Sequence, residues 1–376
     1  MRTFRCDHCD SPVFFENPRC VGCGHTLAFL PDQFRVAALE RSDDGLWRVA
    51  APSSPDATID PEATAASDLP QEEAPAYRLC HHYVSTDTCN WAVEASDPNE
   101  LCASCRLTRD IPNLSLEGRH VALYKMESAK RRLVFNLREL GLPLFEHETI
   151  NPLRFSFLEN LPDQGCKVMT GHDHGHITIN LAEADDVERV RSRQQLGEPY
   201  RTVLGHFRHE IGHFYWDELI APQEARLNAF RELFGDERED YGEALKRHYE
   251  QPQADWAEEH ISAYASSHPW ESWAETWAHY MHMRAMIETA DDFADSVRLP
   301  GQDRKAARKA RREEILRDTR PDFDQLILRW VPLSLALNAL NRSMGMDDIY
   351  PFALSEVVRQ KLRFVHDTVH DSAIMA

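Results

Sequence analysis

The residues best suited to do chemistry lie in GHFRHEIGHFYW, residues 205 to 216. On a helix His209 and His213 stand four residues apart, one above the other, so both imidazoles can reach a single Zn²⁺. Glu210 is turned by about 100° toward the same opening. There it can act as general base on zinc-bound water instead of binding the metal. His206 lies near this face too, but seven helical residues span about 10 Å, whereas Zn–N bonds are about 2 Å. His206 is therefore a neighbour of the site and not a ligand.

A third ligand is available in HPWESWAETWAHYMH, residues 268 to 282. Glu271 and Glu275 are i and i+4 on one helical face. One carboxylate can complete the metal shell while the other accepts a proton from the far ring nitrogen of a ligand histidine. We assign Glu271 to the metal and Glu275 to the support of His209; spacing alone permits the reverse. Pro269 marks the helix start, and an acid in the first turn suits the helix dipole. That accounts for Glu271 but not for Glu275 above it, on a face shared with His282. Trp270, Trp273 and Trp277 read as a separate packing stripe.

Eight of the nine cysteines fall within the first 105 residues. Cys6, Cys9, Cys20 and Cys23 form two tight pairs separated by ten residues, a spacing that places four thiolates around one structural Zn²⁺. Cys80, Cys89, Cys102 and Cys105 form a looser second set, with His81 and His82 as possible substitutes. Four-thiolate sites are coordinatively closed, so both sets should hold shape. The expected complement is one catalytic zinc and one or two structural ones. Cys166 stands alone and reads as a buried thiol. The first ribbon carries three arginines against three acids, so it bears no basic stripe for nucleic acid. Contact with a protein partner, or bracing, suits it better.

These residues need elements to position them. The expected architecture is α+β: zinc-ribbon modules, then a mainly helical zincin-like body with a small sheet. The expected divisions are a ribbon at 1–30, a variable segment and acidic linker at 31–76, a second four-cysteine module at 77–110 and a catalytic body at 111–376. Apolar spacing predicts a helix over 121–140, stopped by Gly141 and Pro143. Alternation predicts strands near 153–157 and 176–181. His172, His174 and His176 read as a polar turn before the second strand. Helices follow at 201–220, 222–234, 255–265, 269–291, 303–317, 322–343 and 353–366. The basic run within 304–317 reads as a solvated surface helix.

The chain of 376 residues has a formal net charge of −20, which disfavours polyanions and anionic bilayers. No stretch has the pattern of a secretory signal or a membrane span. Together with C-x-x-C pairs suited to a reducing compartment, this predicts a cytoplasmic protein with no membrane partner.

HEIGH followed by ESWAE resembles the gluzincin metallopeptidases, in which HExxH is joined by a glutamate from a later helix. The likeness is closer to the bacterial putative zinc-binding metallopeptidase family. It runs through an N-terminal ribbon, CNW…CxxCRLTR at Cys89 to Arg109, ITINLAEAD, HFRHEIGHFYWD, HPWESWAETWAHY and NRSMGMDDIYPF. Gluzincins related to anthrax lethal factor carry a tyrosine seven residues before the ligand glutamate, and Tyr264 has that offset from Glu271. The resemblance implies that Tyr264 donates to the oxyanion, and that ITINL, residues 177 to 181, pairs with an extended peptide or protein substrate. It implies a zinc-dependent peptidase. The competing expectation is a non-catalytic, zinc-stabilised adaptor that binds a protein through its ribbons.

Overall fold

The computed structural model describes residues 3–53, 75–144, 152–160, 167–187, 189, 202–296 and 322–373. Cys166, the 303–317 segment and most of the 51–76 linker lie outside these residues. The chain divides into two compact units, Met1–Arg131 and Arg132–Ala376.

In the first unit the hairpin β1 (Phe4–Arg5) and β2 (Pro12–Val13) carries the first cysteine pair. A five-stranded antiparallel sheet follows, in the order β3 (Thr26–Leu30), β4 (Arg35–Arg41), β5 (Trp47–Val49), β6 (Tyr77–Leu79), β7 (Ala92–Glu94). Its β3–β4 register runs from Thr26↔Leu39 to Leu30↔Arg35. Ala28, Leu30, Ala37, Leu39, Tyr77 and Ala92 form its buried face. Sequence patterning did not single out this sheet, because TLAFL and RVAALER are nearly continuous apolar runs without clean alternation. A second cluster stacks Phe29 on Trp91, ring centroids 4.6 Å apart, with Phe15 against Phe29 at 5.3 Å. The short helix α1 (His81–Ser85) and strand β8 (Thr108–Asp110) flank the second cysteine set. Helix α2 (Arg119–Glu139) contains Arg131 and Arg132, where the sequence divides, and ends ahead of Gly141, at φ +68°.

The second unit positions His209, His213 and Glu271. Strand β11 (His176–Asn180) lies between β10 (Gly171–Asp173), antiparallel, and β9 (Arg154–Leu158), parallel. His174 and Gly175, both at positive φ, turn β10 into β11. Because β11 is flanked on both sides, the expectation that ITINL pairs with substrate is overturned: its backbone groups already serve the sheet. Phe155 and Phe157 of β9 pack their rings against Phe207, at 5.5 and 6.0 Å.

Phe207 belongs to α3 (Val203–Leu219), which starts where the Thr202 side chain accepts from the Gly205 N–H at 2.9 Å, and stops ahead of Pro222. Helices α4 (Glu224–Phe234) and α5 (Tyr241–Glu250) follow, the latter capped by Asp240. Residues 255–265, expected to be helical, form two short 3₁₀ turns instead, Trp256–Glu258 and Tyr264–Ser266. Side chains hold this segment instead: Ser262 Oγ accepts from the Ala265 N–H and donates to Glu275, and Lys361 reaches it from a later helix. Lys361, buried, donates to the Glu259 carbonyl at 3.0 Å and to Ser272 Oγ at 3.2 Å.

Helix α6 (Pro269–Ser296) begins with proline at its first position. It is covered by α8 (Glu356–Ala373), whose Val358, Leu362, Val365 and Val369 are buried, while Trp330 of α7 (Phe323–Ser343) packs on Tyr350. Tyr350, from the late NRSMGMDDIYPF stretch, hydrogen-bonds His279 of α6 at 2.7 Å and exchanges two bonds with Asn338 of α7.

The closest approach is between α3 and α6 at Gly212. A Cβ placed there would meet Ala274 Cα at 3.0 Å and Trp277 Cβ at 3.2 Å, and Trp273 Nε1 donates to the Gly212 carbonyl at 2.8 Å. Trp273 and Trp277 are fully buried, and truncating either should cost about 3–5 kcal/mol, a large part of a domain's net stability. A side chain at Gly212 must therefore displace backbone or an anchored indole. Gly212→Ala is expected to lower stability by about 1–3 kcal/mol in denaturant unfolding, whereas Gly171→Ala, which has open space around it, should leave the midpoint unchanged. Equal midpoints for both variants would refute the tight crossing.

Candidate metal centre

Because α3 and α6 cross at Gly212, the flanking turns of each helix face one another. His209 and His213 of α3 and Glu271 of α6 offer one ligand atom each, all within 4.8 Å of one another, and all three residues are buried. Glu271 Oε2 lies 2.9 Å from His209 Nε2 and 3.5 Å from His213 Nε2, and the two nitrogens are 3.2 Å apart. Donors on a tetrahedral zinc at about 2.0–2.2 Å stand roughly 3.3–3.5 Å apart. Glu271 Oε2 is also a buried oxygen with no hydrogen-bond partner, as is His213 Nδ1 among nitrogens. Two imidazoles and a carboxylate with a buried unsatisfied oxygen fit zinc. Among the described residues no fourth His, Cys, Asp or Glu joins this group.

Glu275 occupies a different position. Its Oε1 is 2.8 Å from His209 Nδ1, on the far side of the ring, and its Oε2 accepts from Ser262 Oγ at 2.6 Å. The His209 Nδ1–H donates to this carboxylate, which leaves the Nε2 lone pair facing Glu271 and His213. Burial alone would raise the Glu275 pKa, but the bond from His209 prevails and holds it at about 2. Glu271 is likewise raised by burial and then pulled well below the usual carboxylate range by His213 and His209. Glu210 is buried beside the same group, and burial raises its pKa although both histidines oppose that.

Tyr264 sits on the turn before α6, its ring 5.9 Å from that of His209. Burial, reinforced by Glu271 and Tyr241, keeps its hydroxyl protonated well above the ordinary tyrosine range. The neighbouring Tyr241 hydroxyl donates to Glu271 Oε1 at 2.8 Å. Tyr241 escaped the sequence reading because α5 did; the Asp240 cap followed by Glu243 was the available signal. Trp270 departs from the packing stripe assigned to it, since its ring lies 4.2 Å from that of His213. His206 pairs with Glu183 and His282 with Arg208, outside the ligand group. His176 bonds Ser156 at 2.7 Å, whereas His172 comes within 6.3 Å of the His213 ring without joining the group.

The cysteine sets converge as two further groups. Sulfur pairs stand at 3.6 Å for Cys6–Cys23 and Cys9–Cys20 and at 3.7 Å for Cys89–Cys102. Tetrahedral Zn–S bonds of about 2.3 Å require roughly 3.8 Å. His81 and His82 are not in the second group, which is complete with Cys80 and Cys105. The Cys102 N–H donates to Cys80 Sγ at 3.3 Å and the Trp91 N–H to Cys89 Sγ at 3.4 Å. Buried Arg131 donates to the Thr88 carbonyl; burial works against its charge, but Cys89, Cys105 and Cys102 nearby favour it. A cation there offsets the net negative charge of a zinc tetrathiolate.

Comparison with known proteins agrees with this picture. A family profile described as "Putative zinc-binding metallo-peptidase" matches residues 120–368, and a zinc-ribbon domain profile matches residues 3–116. An uncharacterized protein of Mycobacterium tuberculosis and one of Mycobacterium bovis are each 38% identical over 376 residues, covering 99% of this chain and 96% of the relative. No solved structure matches the chain. No helix among the described residues is long and apolar enough to cross a membrane.

Since Glu275 reaches the centre only through His209, Glu275→Gln should weaken zinc binding there by about 10–100-fold while leaving the cysteine sites loaded. Competition with a chelator, read by zinc stoichiometry, measures this. Unchanged affinity would show that His209 needs no such orientation.

Proposed function

The chain belongs to the family of putative zinc-binding metallo-peptidases, and from that membership we propose that it hydrolyses peptide (amide) bonds at the His209–His213–Glu271 centre. The observation that carries this reading is a ligand group of three, with a buried carboxyl, Glu210, beside it. Structural zinc is ordinarily closed by four protein donors, so a set of three with an adjacent acid favours catalysis over a staple.

When bound there, zinc supplies a Lewis acid that polarises the scissile carbonyl and acidifies water. Glu210 takes the proton of the attacking water, its basicity favoured by burial. Protonated Glu210 then delivers that proton to the leaving amine. The Tyr264 hydroxyl donates to the oxygen that becomes negative in the tetrahedral intermediate. Tyr241 fixes the Glu271 carboxylate through Oε1, and Glu275 fixes His209 through Nδ1. An extended substrate adds to the sheet at β10, the edge strand that carries His172, rather than at the interior strand β11. The net charge of −20 favours neutral or basic peptides.

The test is cleavage of a peptide library by the zinc-loaded protein. Glu210→Gln should retain zinc at the centre and lose about 10²–10⁴-fold in rate; His213→Ala should lose metal and activity together. Cleavage equal in wild type and Glu210→Gln would mark a contaminating protease and leave the chain as a zinc-stabilised adaptor. Tyr264→Phe should lower kcat by about 10²–10³-fold at unchanged zinc content, and an unaltered kcat would remove Tyr264 from the chemistry.

A further inference from the structure

We propose that His8, His25 and Glu40 form an additional divalent-metal site on the first ribbon, beside the Cys6–Cys9–Cys20–Cys23 group and separate from it, suited to Zn²⁺. One ligand atom from each of the three residues lies within 4.8 Å of the others. The residues come from three places that the ribbon brings together. His8 is in the first knuckle, between Cys6 and Cys9, and His25 follows Cys23. Glu40 is on β4, one step beyond the Thr26↔Leu39 pair and so across from His25. The two rings stack with centroids 4.1 Å apart.

Hydrogen bonding at the far side of each ring decides what the near side can do. His8 Nδ1 is 2.7 Å from the Ala51 carbonyl, which can only accept, so Nδ1 donates and, in the neutral ring, Nε2 is the acceptor. His25 Nδ1 is 3.3 Å from Cys23 Sγ, and a zinc-bound thiolate can only accept, so in the neutral ring Nε2 of His25 is the acceptor as well. Yet that Nε2 stands 2.9 Å from Glu40 Oε1. A lone pair and a carboxylate oxygen at this distance repel unless a cation lies between them. The cation is either one proton, giving an imidazolium–carboxylate pair, or a metal ion. A third ligand atom, from His8, within 4.8 Å of both favours the metal: a proton bridges two acceptors, whereas a borderline ion takes two imidazoles and a carboxylate together. Each imidazole is already oriented by an acceptor on its outer nitrogen, as ligand histidines are. Glu40 is half exposed, its side chain retaining 56% of its accessibility, so the site is open to exchange and should bind more weakly than the thiolate group.

The experiment compares the full chain with Glu40→Gln and His8→Gln after equilibrium dialysis against buffered free zinc on the order of micromolar, counting zinc per chain. Each variant should saturate one equivalent below wild type, with the thiols of the cysteine groups still protected from a thiol reagent. His209, His213 and Glu271 are untouched, so the result stands apart from whether the chain is a peptidase. Should His8→Gln expose its thiols, the ribbon has been disturbed and Glu40→Gln, altered only at a half-exposed side chain, decides the matter. Saturation of Glu40→Gln at the wild-type count overturns the proposal and assigns the shared cation as a proton.

Discussion

The second unit depends on two helix backbones approaching within contact at a residue that has no side chain. Gly212 lets α3 settle against Ala274 and Trp277 of α6, and the indole of Trp273 fastens the crossing by donating to the Gly212 carbonyl. Only at that separation do imidazoles on one helix meet carboxylates on the other. A helix pair held apart by ordinary side chains packs at about 8–10 Å between axes. The short reach of His and Glu side chains leaves little tolerance for more, so the glycine within HEIGH governs the centre as surely as the histidines that flank it.

Placing several ionisable groups in a buried site is costly unless each has a partner. Here several polar atoms near the centre are answered: His209 Nδ1 by Glu275, Glu275 Oε2 by Ser262, and Glu271 Oε1 by Tyr241. The atoms left over are informative. Glu271 Oε2 lacks a hydrogen-bond partner and faces the Nε2 atoms of His209 and His213. The surrounding bonds thus occupy the outer atoms of His209 and Glu271, though not His213 Nδ1, and leave the inner ones converging, which suits an ion of charge +2. Lys361 contributes from a distance, tying the turn that carries Ser262 and Tyr264 to α8 and to Ser272.

The first unit meets a different constraint. Its ribbon has short strands and little apolar material, so convergent thiolates do the work that a core does elsewhere. What core there is lies in the five-stranded sheet and in the Phe15–Phe29–Trp91 cluster, which joins the first cysteine group to the strand leading out of the second. The ring of Phe15 comes from beside one cysteine group and that of Trp91 from beside the other, so the two groups brace a shared structure.

The two knuckles CDHC and CVGC, the i and i+4 histidines of HEIGH and the glutamates four apart in ESWAE were legible in the sequence, because helical and knuckle geometry is set by local spacing. The body helices expected at 201–220, 269–291 and 322–343 were legible too, and lie at 203–219, 269–296 and 323–343. Spacing could not say which of Glu271 and Glu275 faces the Nε2 atoms; the rotation of α6 about its axis, set by Trp273 and Trp277, decided that. Nor could it find Tyr241, thirty residues before the carboxylate it holds, or show that β11 is flanked by two strands, since register and neighbours are long-range properties. Residue types and local periods determine which groups are available along one chain segment. Their meeting within hydrogen-bond distance depends on the crossing of separate segments, which packing alone selects.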